Sequence, residues 1–191
     1  MLTSANTHHL ILGGARSGKS RYAESIVINK SIEKISENDY EESLSTAYYL
    51  ATAEALDDEM IARIKRHQQD RQHAQDATQF VWQLIEEPLH LGSAINSLTN
   101  TDIILIECLT LWLSNCLHSE CWPEQKQLFL QSLQQTKAQV IMVSNEVGQG
   151  IAPTNKLSRK FIDETGWLHQ ELAQICCNVS LITAGLAQQL K

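Results

Sequence analysis

Three consecutive apolar residues, Leu10-Ile11-Leu12, run directly into Gly13-Gly14-Ala15-Arg16-Ser17-Gly18-Lys19-Ser20. The octapeptide fits G-x-x-x-x-G-K-[ST] at every position. It also sits where that pattern requires, after a strand-like run and at the start of a helix-like one. Glycines let the backbone curl so that successive N–H groups turn inward toward an anion. The start of the following helix adds partial positive charge. Gly13, Gly14, Ala15, Arg16, Ser17 and Gly18 are therefore expected to cradle the phosphates of a nucleoside triphosphate. Lys19 should reach the β- and γ-phosphates, and Ser20 should ligate Mg2+. A chain organised around this turn needs a buried strand before it, a helix after it and a sheet to hold both.

The rest of the sequence supplies that sheet. Apolar, β-branched runs recur at 9–12, 47–51, 80–85, 103–107, 140–144 and 179–183. Continuous apolar runs of this kind suit strands covered on both faces. Helical segments are expected at 19–30, 57–70, 88–98, 124–136 and 157–177. Alternation of strands and helices predicts an α/β architecture, a three-layer P-loop NTPase fold with a mostly parallel sheet. The expected organisation is one domain over 1–191. Residues 31–45, polar and acidic, read as a surface insertion in the first crossover.

Charge and cysteine usage narrow the function classes. Lys and Arg total 15 and Asp and Glu 22, a net charge of −7. That balance argues against a sequence-independent grip on nucleic acid or an anionic membrane. It leaves a phosphate ligand open, because a local nest of N–H groups holds it. The five cysteines are odd in number and form no CxxC pair, so a disulfide framework and a zinc site are both poorly supported. Residues 1–9 carry no Lys or Arg, unlike a signal peptide. The longest apolar stretch, 103–113, is interrupted by Glu107 and is too short to span a bilayer. A reduced, soluble, cytoplasmic protein is expected.

A second acid accompanies the phosphate loop. Ile103-Ile104-Leu105-Ile106-Glu107 is an apolar strand ending in a carboxylate, the arrangement of a Walker B element. Glu107 could hold Mg2+ through water or act as a base toward an incoming hydroxyl. Further segments are Ala51-Thr52, Asp57-Asp58-Glu59-Met60, Arg63-Ile64-Lys65-Arg66-His67 and Ser144-Asn145-Glu146-Val147-Gly148-Gln149-Gly150-Ile151-Ala152-Pro153.

With the phosphate loop, these segments resemble the bifunctional adenosylcobinamide kinase/adenosylcobinamide-phosphate guanylyltransferase family of cobalamin assembly, over nearly all of the chain. The resemblance implies two reactions at one nucleotide site: phosphorylation of adenosylcobinamide, then transfer of GMP from GTP to its phosphate through a guanylyl-histidine. It implies ATP and GTP as substrates, a homotrimer, and His67 as the nucleophile; Lys19 and Glu107, from the phosphate loop and the strand-end acid, are the further catalytic candidates. Met60, Arg63, Ile64 and His67 share one face of a helix begun at Asp57, so Arg63 and His67 would project together, Arg63 onto phosphate.

Thr52 and Glu54 lie just past a strand end and are expected to line the site, Thr52 at the nucleotide and Glu54 at the substrate. Asp58 is a further substrate candidate, although acids in a first helical turn also serve as caps. Asn145 and Glu146 follow a strand and should border the site, facing the corrinoid tail, the nucleotide or the metal. Leu84 and His169 stand where the family pattern has Thr and Asn, and bear on corrinoid fit. Two other readings remain open at this level: a P-loop kinase for another small alcohol, and a nucleotide-dependent regulatory module, neither using His67.

Overall fold

The structure, a computed structural model, describes residues 7–37, 45–54, 80–98 and 102–191, with positions 58, 61, 62, 64–66, 68, 69 and 72 between them. Seven strands form one sheet in the order β3-β2-β4-β5-β1-β6-β7. These are β1 (His9–Gly13), β2 (Ser45–Ala51), β3 (Phe80–Glu86), β4 (Ile103–Glu107), β5 (Gln139–Asn145), β6 (Asn178–Thr183) and β7 (Leu186–Gln189). All neighbours pair in parallel except β6 and β7. The expected mostly parallel α/β sheet is present. The helices are α1 (Lys19–Glu37), α2 (Leu91–Asn96), α3 (Leu109–His118), α4 (Trp122–Gln135) and α5 (Lys156–Ile175). The single described positions between 58 and 72 are also helical.

Alternation along the central strands divides the core in two. Leu10, Leu12, Ile104, Ile106, Val140 and Met142 face α2 to α5 and pack with Ile95, Trp112, Phe129 and Leu172. Ile11, Leu105, Ile141 and Val143 face the other way and pack with Ala23 and Val27 of α1. A strand's side-chain period of two sends alternate residues to opposite faces, so strands covered on both need apolar residues throughout. Each fully buried Leu or Ile contributes about 1.5–3 kcal/mol. Trp112 is fully buried and its Nε1–H donates to Leu89 O at 2.7 Å, which satisfies its one polar group.

Four features differ from the sequence expectation. Helix α1 continues to Glu37, seven residues into the segment read as an insertion, and β2 opens at Ser45. Residues 38–44 of that segment lie outside the described residues. Helix α3 follows β4 after Cys108 alone; its apolar residues run on from the strand, and no side chain caps it. Helix α2 is shorter than 88–98, because Pro88 and Leu89 precede it in a turn fixed by Glu87, whose Oε1 accepts from the N–H groups of Leu89 and His90. Finally, β6 turns back through Ala184 and Gly185 into β7. Thr183 pairs with Leu186 and both turn residues have positive φ, the geometry of a two-residue type I′ hairpin.

Candidate active site

Strand β1 delivers Gly13 to the carboxyl edge of the sheet, level with Asn145 of β5 and Ile182 of β6. A Cβ at Gly13 would lie 2.6 Å from both Ile182 O and Ser17 Oγ, so only glycine fits there. The loop then turns through Arg16 (φ 57°) and Gly18 (φ 95°) before α1 begins. Gly14, Ala15, Arg16 and Gly18 are exposed, whereas Lys19 is only 5% exposed. Ser17 N–H donates to Gly14 O at 3.3 Å and Lys19 Nζ donates to the same carbonyl at 3.0 Å. The C-terminal hairpin supports the loop from outside: Gly185 N–H donates to Ser17 O at 2.8 Å, and Gly185 Cα lies 3.3 Å from where a Gly18 Cβ would stand.

Glu107 reaches this loop from two strands away. Its Oε1 accepts from Ser20 Oγ at 2.7 Å, while Oε2 is buried. Strand β5 lies between β1 and β4 and contributes Asn145 and Glu146 at its end. Asn145 Nδ2 donates to Thr110 Oγ1 at 2.9 Å. Glu146 N–H donates to Gly13 O at 3.0 Å, and Glu146 Oε1 accepts from Gly148 N–H at 2.6 Å. The first two motif glycines, Ser17, Lys19, Ser20, Glu107, Asn145 and Glu146 therefore converge on one edge of the sheet. Among the described residues, Ser17 Oγ, Glu107 Oε2 and Asn145 Oδ1 are buried polar atoms without a hydrogen-bond partner. Buried polar atoms are ordinarily paired, so orphans gathered at a loop mouth point to a ligand. Hydroxyl and carboxylate oxygens are the donors Mg2+ takes, and Ser20 with Glu107 fits that ion.

Thr52, expected at the nucleotide, directly follows β2. It is fully buried, and its hydroxyl both donates to Cys108 O (2.9 Å) and accepts from Cys108 N–H (2.8 Å). Its own N–H donates to Glu107 O at 3.0 Å, and its carbonyl accepts from Asn115 Nδ2 at 2.8 Å. Thr52 thus fastens the end of β2 to the residue after Glu107. Glu54 and Asp58 are exposed. Arg63 and His67 lie outside the described residues, as does Asp57.

His169 is buried on α5 and its Nε2 lies 2.7 Å from Ser144 Oγ. Its Nδ1 is 3.9 Å from Glu146 Oε2. Burial lowers the imidazole pKa below its usual value, and the Glu146 carboxylate opposes that shift. Leu84, the other departure from the pattern, is on the edge strand β3 and 46% exposed. Thr110 and Gly185 are site features the sequence did not single out, and it named His169 without its place beside Glu146. Thr110 follows the strand-end acid by three residues, which was the available signal.

A family model described as cobinamide kinase / cobinamide phosphate guanyltransferase matches residues 9–190. The chain belongs to this family. The bifunctional adenosylcobalamin biosynthesis protein CobP of Pseudomonas aeruginosa is 39% identical over 186 residues, covering 95% of this chain and 96% of that protein. The bifunctional adenosylcobalamin biosynthesis protein CobU of Escherichia coli is 33% identical over 199 residues, covering 95% of this chain and 98% of that protein. Among solved structures, one described as an ATPase domain superposes with a TM-score of 0.50 at 13% identity, covering 92% of this chain and 69% of that one. That likeness concerns the fold, which is of the P-loop NTPase kind. Among the described residues, no helix is long and apolar enough to cross a membrane.

Proposed function

We infer that the protein phosphorylates adenosylcobinamide with a nucleoside triphosphate and then transfers GMP from GTP to adenosylcobinamide phosphate, giving adenosylcobinamide-GDP. The observation that carries this reading is the family match over residues 9–190, which starts at the strand feeding the phosphate loop. In the first reaction the loop N–H groups and Lys19 bind the triphosphate and offset the charge of the transferring group. Ser20 and Glu107 are the residues that would hold Mg2+, which neutralises phosphate charge when bound. In the second, a nitrogen of His67 attacks the α-phosphorus of GTP and pyrophosphate leaves. A phosphate oxygen of the corrinoid then attacks the same phosphorus and the histidine nitrogen leaves. Two displacements replace one difficult transfer between two anions. Arg63, four positions before His67 in the sequence, binds phosphate. Glu54, Asp58 and Glu146 contact the corrinoid substrate. The protein acts in the cytoplasm as a homotrimer.

The test uses GTP labelled at the α-phosphate. After denaturation, the wild-type protein should retain label that withstands alkali and is released by acid, and His67→Ala should retain none. Active protein without such an adduct would refute the guanylyltransferase half. Kinase activity should survive in His67→Ala and vanish in Lys19→Ala.

A further inference from the structure

The geometry points to Asn145 as a contact of the reaction centre, its Oδ1 accepting a hydrogen bond from an O–H donor above the phosphate loop, and to Thr110 as the residue that orients it. The inference rests on the proposed function and makes its substrate contacts specific. Glu107 pairs in register with Val143, and Asn145 lies two residues further along β5, level with Gly13. Residues two apart on a strand share a face. Glu107 and Asn145 are thus on the same side of adjacent strands, the side that carries α1. Asn145 stands one step nearer the open edge.

The amide is oriented by what it already bonds. Nδ2 donates to Thr110 Oγ1 at 2.9 Å, and Thr110 Oγ1 lies 3.2 Å from Cys108 Sγ. Thr110 is 4% exposed and Cys108 2%. Asn145, Thr110 and Cys108 form a chain from the end of β5 across the first turn of α3 to the residue after Glu107. With Nδ2 held at Thr110, Oδ1 is left buried and without a donor. A carbonyl oxygen only accepts, so phosphate oxygens cannot satisfy it, and an O–H group can. Two sources fit that chemistry: the hydroxyl of the corrinoid alcohol awaiting phosphorylation, and a water of the hydrated cation that Ser20 and Glu107 would hold.

The experiment compares wild type, Asn145→Ala, Thr110→Val and Thr110→Ser, each checked for its melting temperature. One arm titrates Mg2+ against direct binding of a fluorescent nucleoside triphosphate. The other measures kcat and KM for the corrinoid alcohol at saturating Mg2+ and nucleotide. Loss of one hydrogen bond to a buried acceptor predicts about a tenfold change. A tenfold rise in the Mg2+ half-saturation of nucleotide binding assigns the donor to the hydration shell. A tenfold fall in kcat/KM for the alcohol, with Mg2+ dependence unmoved, assigns it to the substrate. Thr110→Val should move the same quantity in the same direction, and Thr110→Ser, which keeps the hydroxyl, should restore it. Folded Asn145→Ala unchanged in both arms overturns the inference, and Thr110→Val indistinguishable from wild type overturns the role of Thr110. Should Asn145→Ala fail to fold, Thr110→Val decides. Wild-type protein inert toward the corrinoid would count against the proposed function, and the Mg2+ titration then decides Asn145 alone.

Discussion

Lowering the pH from 7 to 5 should weaken the folded protein by about 2 kcal/mol through His9 alone. His9 opens β1, is 7% exposed, and has Nε2 2.8 Å from Ser180 Oγ of β6. Burial, assisted by the Lys30 charge, lowers its pKa from 6.5 to about 4. Between those values the unfolded chain binds a proton that the folded chain does not. Stability therefore rises with pH through this window and falls as pH drops below 6.5. The whole window is worth about 3 kcal/mol, of which about 2 lies between pH 7 and 5. His8 acts in the same sense, its pKa lowered chiefly by burial. Its Nδ1 accepts from Val140 N–H at 3.2 Å, so Nε2 carries the hydrogen and donates to Leu133 O at 2.9 Å. A proton on Nδ1 would break the first of these bonds. His169 is lowered as well. Reducing a net charge of −7 relieves self-repulsion, so the global charge does not account for a loss of stability on this side. Urea unfolding at pH 7, 6 and 5 provides the measurement, with His9→Asn beside the wild type. The variant should show a shallower pH dependence. Stability that is flat or rising toward pH 5, or a variant with the full wild-type slope, would refute the argument.

Three further outcomes follow from the geometry. Glu107→Gln should lower kcat of the kinase step by at least about a hundredfold while leaving the melting temperature nearly unchanged, because the Gln carbonyl still accepts from Ser20 Oγ; steady-state kinetics with calorimetry checks both. Gly13→Ala should destabilise by about 1–3 kcal/mol and abolish tight nucleotide binding, since the new methyl meets Ile182 O and Ser17 Oγ at 2.6 Å; denaturant unfolding and nucleotide titration read the two effects. Thr52→Val should cost about 1–3 kcal/mol by removing the core acceptor of the Cys108 N–H, while the Cys108 carbonyl keeps the N–H groups of Leu111 and Trp112, whereas Thr52→Ser should retain most of the stability in the same unfolding assay.

What could be read in advance divides along local and non-local lines. The phosphate loop is contiguous, and its glycines, lysine and serine carry their roles in their spacing. The central strands announce themselves because burial on both faces demands unbroken apolar runs, as in Ile103–Glu107. Helix α3 gave no such notice. It begins one residue after β4 with Leu109 and Thr110 and without a capping side chain, so strand and helix merge into one apolar stretch. Strand β7 is short and wholly exposed, so no alternation marks it; only Ala184-Gly185 hinted at the turn. The position of Thr52 was readable and its direction was not. Whether a hydroxyl at a strand end faces ligand or core depends on the neighbouring strand, and the adjacency of β2 and β4 is set by residues more than fifty positions apart.

The hairpin beneath the phosphate loop bears on the order in which the protein is made. Both neighbours of strand β1, β5 and β6, are synthesised more than 125 residues after it. The loop itself rests on Gly185, which is made later still. Until β5 is made, the nucleotide motif is therefore a strand and a glycine turn with no neighbouring strand to pair with. Long-range pairing of this kind forms late and slowly, because distant parts of the chain must first be brought together. A nascent chain stalled before residue 178 should bind no nucleotide, and the ability to bind should appear abruptly as the β6–β7 hairpin is completed.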